Sequence, residues 1–228
     1  MLLQIPQVLN EDQLRLMREK LDAAGDAWVD GRITAGHQGA RVKYNQQIAE
    51  HTPVARELGD LVLAALERHP LFISAVLPNR VYPPLFNRYQ NKMHFGNHID
   101  GAVRILPSGG TKIRTDVSAT LFLTAPENYD GGELLIEDIY GAHAVKLPAG
   151  DMIIYPASSL HRVAPVTRGV RTGCFFWVQS LVRSDEQRTL LFDMDNAIQR
   201  LTTATPDELA LISLTGCYHN LLRMWSET

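Results

Sequence analysis

Apolar and polar positions change period twice along the chain. Up to about residue 78 the apolar residues return every three or four positions. Leu14, Met17 and Leu21 follow an Asn10–Gln13 pair that has capping-box spacing, and Leu58, Leu61, Val62, Ala65 and Leu66 follow Thr52-Pro53. A cap residue followed by proline starts a helix well, because the first turn leaves that N–H unpaired anyway. Both stretches predict helices with one buried stripe.

Between about residues 80 and 182 the period shortens. "PLFNRYQ", "VSATLFLTA", "GELLIED", "AHAVKLP", "DMIIYP", "HRVAPV" and "VRTGCFFWVQSL" are short and rich in branched or aromatic residues, and "PSGG", "NYDGG", "PAGD" and "TRG" separate them. Such strands with turn chemistry between them predict an antiparallel sandwich or barrel, not alternating βαβ units. From about residue 184 the helical period returns. Ser184 with Gln187, and Thr205-Pro206 with Glu208, mark two starts, and Leu190, Leu191, Met194, Ile198 and Leu201 can stripe the first helix. The segment "LALISLTGCYHNLLRMW" is apolar enough to dock on the barrel or on another subunit, which makes these helices the candidate surface for a homo-oligomer. The expected fold is mainly β with flanking α. Residues 1–182 form one domain with supporting N-terminal helices, and 183–228 a C-terminal helical extension.

Composition narrows the partners. Hydrophobic residues make up 45% and charged ones 21% of 228 residues, which suits a globular domain with a sizeable core. A net charge of −3 gives no reason to expect nucleic acid or an anionic membrane as partner. Cys174 and Cys217 form no Cys-x-x-Cys, which argues against a disulfide scaffold or structural zinc and fits a reducing cytoplasm. The first residues show no basic segment, long apolar run or cleavage site, and no stretch approaches the roughly 20 apolar residues of a membrane span.

The chemistry begins at "NRYQNKMHFGNHIDGAVR", which sets His98 and Asp100 two positions apart at a strand end. Alone, such a pair is more often simply polar. His161 supplies a third ligand where one strand ends at Tyr155-Pro156 and the next opens, whereas His94 and His143 have no partnered context and are taken as non-ligands. Two imidazoles and a carboxylate on one face of an octahedron leave positions open for substrate and dioxygen, as in non-haem Fe(II) oxygenases. Zinc uses the same residue types with one open position, and spacing does not separate the two. Arg171, ten residues after His161, adds a constraint. With "TRG" as a three-residue hairpin turn, Val166 pairs with Val170, Pro165 lies opposite Arg171, and His161 lies opposite Phe175. Both His161 and Arg171 then point into the barrel, where a slip of one residue would separate them. A buried guanidinium is costly unless paired, and a dicarboxylate matches its fork.

His98-x-Asp100, His161 and then Arg171, within "RYQNKMHFGNHIDG" and "PAGDMIIYPASSLHRVAPVTRGVR", resemble the Fe(II)/2-oxoglutarate-dependent dioxygenases. The closest resemblance is to the prolyl-4-hydroxylase-like branch and its bacterial PKHD-type hydroxylases. The middle turn here reads "YDGGEL", against a "DYGGEL"-type turn in the family. The resemblance runs over nearly the whole length. It implies a double-stranded β-helix (jelly roll), Fe(II) on His98, Asp100 and His161, 2-oxoglutarate with its distal carboxylate on Arg171, and L-ascorbate as reductant. It also implies a cosubstrate contact for Tyr89, a residue that serves equally well as simple core. The implied reaction is a hydroxylation coupled to decarboxylation of 2-oxoglutarate to succinate, with dioxygen as co-reactant and a link to bacterial iron uptake. A cupin-like isomerase or hydrolase, and a non-catalytic iron/2-oxoglutarate sensor, stand as alternatives. A protein side chain, a free amino acid or an iron-chelating small molecule all suit the site as substrate. Arg88, Lys92, Arg104, Lys112 and Arg114 read as a solvated rim, or as an entrance favouring anionic substrates, and "GAVRILPSGGTKIRT" as a connector or a lid. Phe175 and Trp177 read as packing.

Overall fold

The helix signals are realised where the capping chemistry puts them. In a computed structural model, which describes residues 1–107, 109–204 and 207–227, the helix Glu11–Asp22 opens on a reciprocal Asn10–Gln13 box and buries Leu14, Met17 and Leu21. The helix Pro53–Leu66 is capped by Thr52, whose hydroxyl accepts from the Ala55 N–H, and it buries Leu58, Val62 and Leu66. The helix Asp185–Ala204 starts after Ser184, whose Oγ accepts from Gln187 N at 3.2 Å. Its stripe is narrower than the spacing suggests, because Leu191 is buried while Leu190 and Leu201 face outward. The Thr205-Pro206 start lies outside the described residues. The described helix Glu208–Trp225 is capped by Asp207.

The strands form two antiparallel layers. The larger sheet has eight strands, in the order Leu3–Ile5, Met152–Pro156, Val117–Phe122, Arg171–Ser180, Leu85–Tyr89, Gln46–Ile48 and Trp28–Asp30, with Pro78–Val81 also paired to Arg171–Ser180. The smaller has five, in the order Gly141–Val145, Leu134–Asp138, His161–Val163, His94–His98 and Lys43–Tyr44. This is a jelly roll, mostly β with helices before and after it.

Alternation along the central strand Arg171–Ser180 separates two environments. Cys174, Phe176 and Val178 join Met17, Leu58, Val62 and Phe72 in the core between the large sheet and the N-terminal helices. Arg171, Phe175 and Trp177 face a cavity between the two sheets instead. The C-terminal helices dock at the sheet's end, where Tyr218, Leu222 and Trp225 pack on Leu77, Val182 and Leu191. Buried Arg188 fixes this junction by donating to the Val182 and Arg183 carbonyls at 2.8 and 2.7 Å.

The hairpin expected at "TRG" does not form. Val166–Gly169 pairs with Tyr129–Gly131, placing Val166 opposite Gly131, while Arg171 lies opposite Tyr89 on the large sheet. The chain crosses between layers at Gly169-Val170, so His161 and Arg171 sit on facing sheets. Both still point inward, because the inner faces of a sandwich converge on one space.

Phe176 is 1% exposed between the large sheet and the helices. Phe176→Ala should lower unfolding free energy in urea titrations by about 3–5 kcal/mol. Ile139→Ala, at a site 90% exposed, should stay within about 0.5 kcal/mol of the parent.

Candidate metal centre and cosubstrate pocket

The strands His94–His98 and His161–Val163 are neighbours in the small sheet, and His98 pairs directly with His161. Their rings lie 4.1 Å apart between centroids. Asp100 follows the end of its strand and turns inward. One ligand atom from each of His98, Asp100 and His161 falls within 4.8 Å of the others. His161 Nε2 is 3.8 Å from Asp100 Oδ2, too long for a hydrogen bond and suited to two donors sharing one ion.

The two imidazoles are held the same way. His98 Nδ1 pairs with the Gly96 carbonyl at 2.8 Å and His161 Nδ1 with the Ser159 carbonyl at 3.0 Å. A carbonyl only accepts, so each Nδ1 carries the proton and each Nε2 presents a lone pair. Burial first, and then the neighbouring His161, bring the His98 imidazolium down to about 4, so that ring is neutral near pH 7. Phe95 stacks on His98 at 3.5 Å between centroids. Asp100 Oδ2 accepts from Ser118 Oγ at 2.6 Å, a bond reaching across from the large sheet. Two imidazole nitrogens and one carboxylate, each oriented by a hydrogen bond or a packed ring, fit a divalent first-row metal such as Fe(II).

Arg171 is 2% exposed and faces the same cavity, of about 490 Å³. Its guanidinium lies over Tyr89 at 5.3 Å and Phe122 at 5.2 Å from the ring centroids. Among the described residues it forms no ion pair, and its Nε has no acceptor. A fork in this state fits a bound carboxylate. Tyr89 lines the cavity with its hydroxyl near Asn87 Nδ2, at 3.4 Å. Burial pushes its phenol up from the usual tyrosine range.

The "YDGGEL" turn is shaped around this arginine. Gly131 and Gly132 have φ of +71° and +69°, which favours glycine. A β-carbon at Gly131 would lie 2.1 Å from the Pro165 carbonyl oxygen, and one at Gly132 would lie 2.8 Å from Val166 Cγ2 and 3.0 Å from Arg171 Cδ.

His94 and His143 stand apart, His94 on the Lys92 carbonyl and His143 on Asp138. Of the five basic residues expected near the mouth, only Arg104 lines the cavity. Arg88 binds Gln46 and stacks on Trp28, and Arg114 pairs with Asp116 and Glu227. The 101–115 segment contains a short hairpin, Val103–Ile105 with Lys112–Arg114. Phe175 and Trp177 line the cavity. Sequence reasoning missed Ser118, Phe95 and Lys43. Ser118 sits in an apolar strand, and Lys43 in a segment without strand periodicity, so neither carried a signal.

Comparison with known proteins gives the class first. Residues 84–179 match the family model of the 2OG-Fe(II) oxygenase superfamily. A Pseudomonas putida prolyl-4-hydroxylase shares the fold with a TM-score of 0.52 at 21% identity, over 78% of this chain and 92% of that one. The nogalamycin-biosynthesis carbocyclase SnoK shares it at 0.56 and 16%, over 79% and 80%. Residues 185–227 match the PKHD-type hydroxylase C-terminal domain. PKHD-type hydroxylases of Paraburkholderia phytofirmans and Xanthomonas campestris pv. campestris are 72% and 59% identical, each over 100% of both chains. The chain belongs to the PKHD-type hydroxylases, a family of 2-oxoglutarate- and Fe(II)-dependent dioxygenases. Membership favours the hydroxylase over the cupin-like and sensor alternatives.

Ser118→Ala is expected to weaken Mn(II) binding, followed by electron paramagnetic resonance, by about 10–100-fold, with the circular dichroism of the fold unchanged. Gly132→Ala should cost about 1–2 kcal/mol in chemical unfolding from its left-handed backbone alone.

Proposed function

We propose that His98, Asp100 and His161 hold the Fe(II) and that Arg171 anchors the distal carboxylate of 2-oxoglutarate, with Tyr89 lining the cosubstrate. The observation that carries this reading is a buried guanidinium with no acid partner among the described residues, in the same cavity as three convergent candidate donors. When bound, the metal and cosubstrate supply the oxidative decarboxylation of 2-oxoglutarate to succinate and the transfer of an oxygen atom into a substrate C–H bond.

The chain's own contribution is placement. The Gly96 and Ser159 carbonyls keep both Nε2 atoms aimed inward, and Ser118 holds the Asp100 carboxylate. Phe95 covers one face of His98, excluding water from that side of the site. Arg171 fixes the far end of the dicarboxylate, so its oxo-acid end is the part directed at the three donors. L-ascorbate is the proposed reductant, and a reducing cytoplasm suits the two free thiols, Cys174 and Cys217. No described helix is long and apolar enough to cross a membrane. Residues 1–182 are read as the catalytic domain and 183–228 as an extension docked on it; the two family models fall within these parts, at 84–179 and 185–227.

Anaerobic addition of Fe(II) and 2-oxoglutarate should produce the weak visible charge-transfer band of the chelate. Arg171→Ala removes a charged hydrogen-bonding group contributing about 1.5–3 kcal/mol, so 2-oxoglutarate affinity should fall about 10–100-fold while metal affinity stays near the parent value. Equal loss of both in calorimetric titrations would contradict the assigned role.

A further inference from the structure

Besides Arg171 the cavity is lined by two further cations, packed against other rings. Lys43, only 5% exposed, comes from the edge strand of the small sheet. Its Nζ donates to Thr34 Oγ1 and Gln47 Oε1, both at 3.1 Å, which uses two of its three hydrogens. The ammonium also lies 5.2 Å from the Phe95 ring and 5.6 Å from Phe175. Arg104 enters from the Val103–Ile105 hairpin strand, its guanidinium 4.1 Å from the Trp177 centroid and 4.9 Å from Tyr82. Stacking engages the guanidinium faces and leaves the in-plane N–H donors free. Phe175 and Trp177 are side by side on the central strand, 5.6 Å apart, so one aromatic wall carries both cations.

The acids whose fields reach Lys43 are already engaged. Asp30, at the end of the Trp28–Asp30 strand, is bound by Arg32 at 2.8 Å. Glu50, after the Gln46–Ile48 strand, accepts from the Tyr82 hydroxyl at 3.0 Å. Asp100 accepts from Ser118 and belongs to the metal cluster. Among the described residues, neither Lys43 nor Arg104 forms an ion pair. Burial, and then repulsion from Arg104, bring the Lys43 ammonium down to about 8. An anion placed between the two would relieve both effects and take up the spare donors.

We propose that Lys43 and Arg104 form the substrate-recognition subsite, and that the substrate is an organic acid. Its planar carboxylate sits between the two cations against the Phe175–Trp177 wall, and its reactive C–H is directed at His98, Asp100 and His161. This deepens the preceding functional reading and rests on it, since it requires Arg171, and not these cations, to hold 2-oxoglutarate.

The test uses the full chain loaded with Mn(II) and saturating 2-oxoglutarate, which occupies Arg171. Benzoate is titrated against benzamide, its neutral counterpart of the same shape. Benzoate should bind at least about tenfold more tightly, as expected for a charge-assisted contact. Lys43→Met and Arg104→Met should each bring benzoate to within about twofold of benzamide while moving 2-oxoglutarate affinity by less than about twofold. Equal affinities in the parent protein, a preference that survives in both variants, or a parallel loss of 2-oxoglutarate would each overturn the proposal. The parent comparison needs no variant to fold, and Arg104 is only half-buried. A fault in the cosubstrate assignment registers separately, as 2-oxoglutarate binding indifferent to Arg171→Ala, and leaves the benzoate comparison readable.

Discussion

A guanidinium enclosed between two β-sheets, with no acid among the described residues to answer it, is the constraint around which this cavity is arranged. Removing such a charge from water costs several kcal/mol even after relaxation. The chain offsets part of this by laying Arg171 across Tyr89 and Phe122, whose ring faces attract a cation. Ring faces do not satisfy the hydrogens in the guanidinium plane, so the pocket stays electrostatically open toward an oxyanion. The local backbone yields to this arrangement. Two consecutive left-handed glycines let the turn before Glu133 pass against the Arg171 stem, where any β-carbon would collide. The departure "YDGGEL" keeps both glycines, which is the part of the motif that the packing requires.

The three candidate donors show a division of labour between the layers. His98, Asp100 and His161 all belong to the small sheet or its margin, while Ser118, Arg171, Phe175 and Trp177 come from the large one. The Ser118–Asp100 bond ties the two layers at the point where the donors converge. A metal ion on these donors would therefore be sensitive to the spacing between the sheets, which the apolar contacts of Phe122, Leu134, Ile136 and Ile153 hold fixed.

Much of this was legible in the sequence, and for identifiable reasons. The capping box at Asn10, the Thr52-Pro53 start and the Ser184 start are local chemistry, complete within a few residues. The seven strand segments between about residues 80 and 182 each appear as strands, because alternation and turn residues are local too. What failed was pairing. "TRG" looks like a hairpin, yet its strand bonds to Tyr129–Gly131, a partner fixed by tertiary topology. The inward direction of His161 and Arg171 survived the error because two facing sheets, like one hairpin face, aim their inner residues at a shared space. The short strands before residue 50 went unread because two or three residues carry no period, and Lys43 was lost with them.

The charges that line the cavity limit what it can admit. Arg171, Lys43 and Arg104 face it together with the metal cluster, and Asp100 is the one carboxylate among the described lining residues. A divalent ion adds two positive charges, and 2-oxoglutarate brings two negative ones, which still leaves an excess of positive charge. In a partly dry cavity that excess is weakly screened, since charges a few ångströms apart interact several times more strongly than in bulk water. With Arg171 answered by the cosubstrate, a cationic occupant would be repelled by Lys43 and Arg104, and a neutral one would leave those two uncompensated. On the proposed reading the pocket selects by charge before shape, and the aromatic wall beneath Lys43 and Arg104 then favours flat acids over bulky ones.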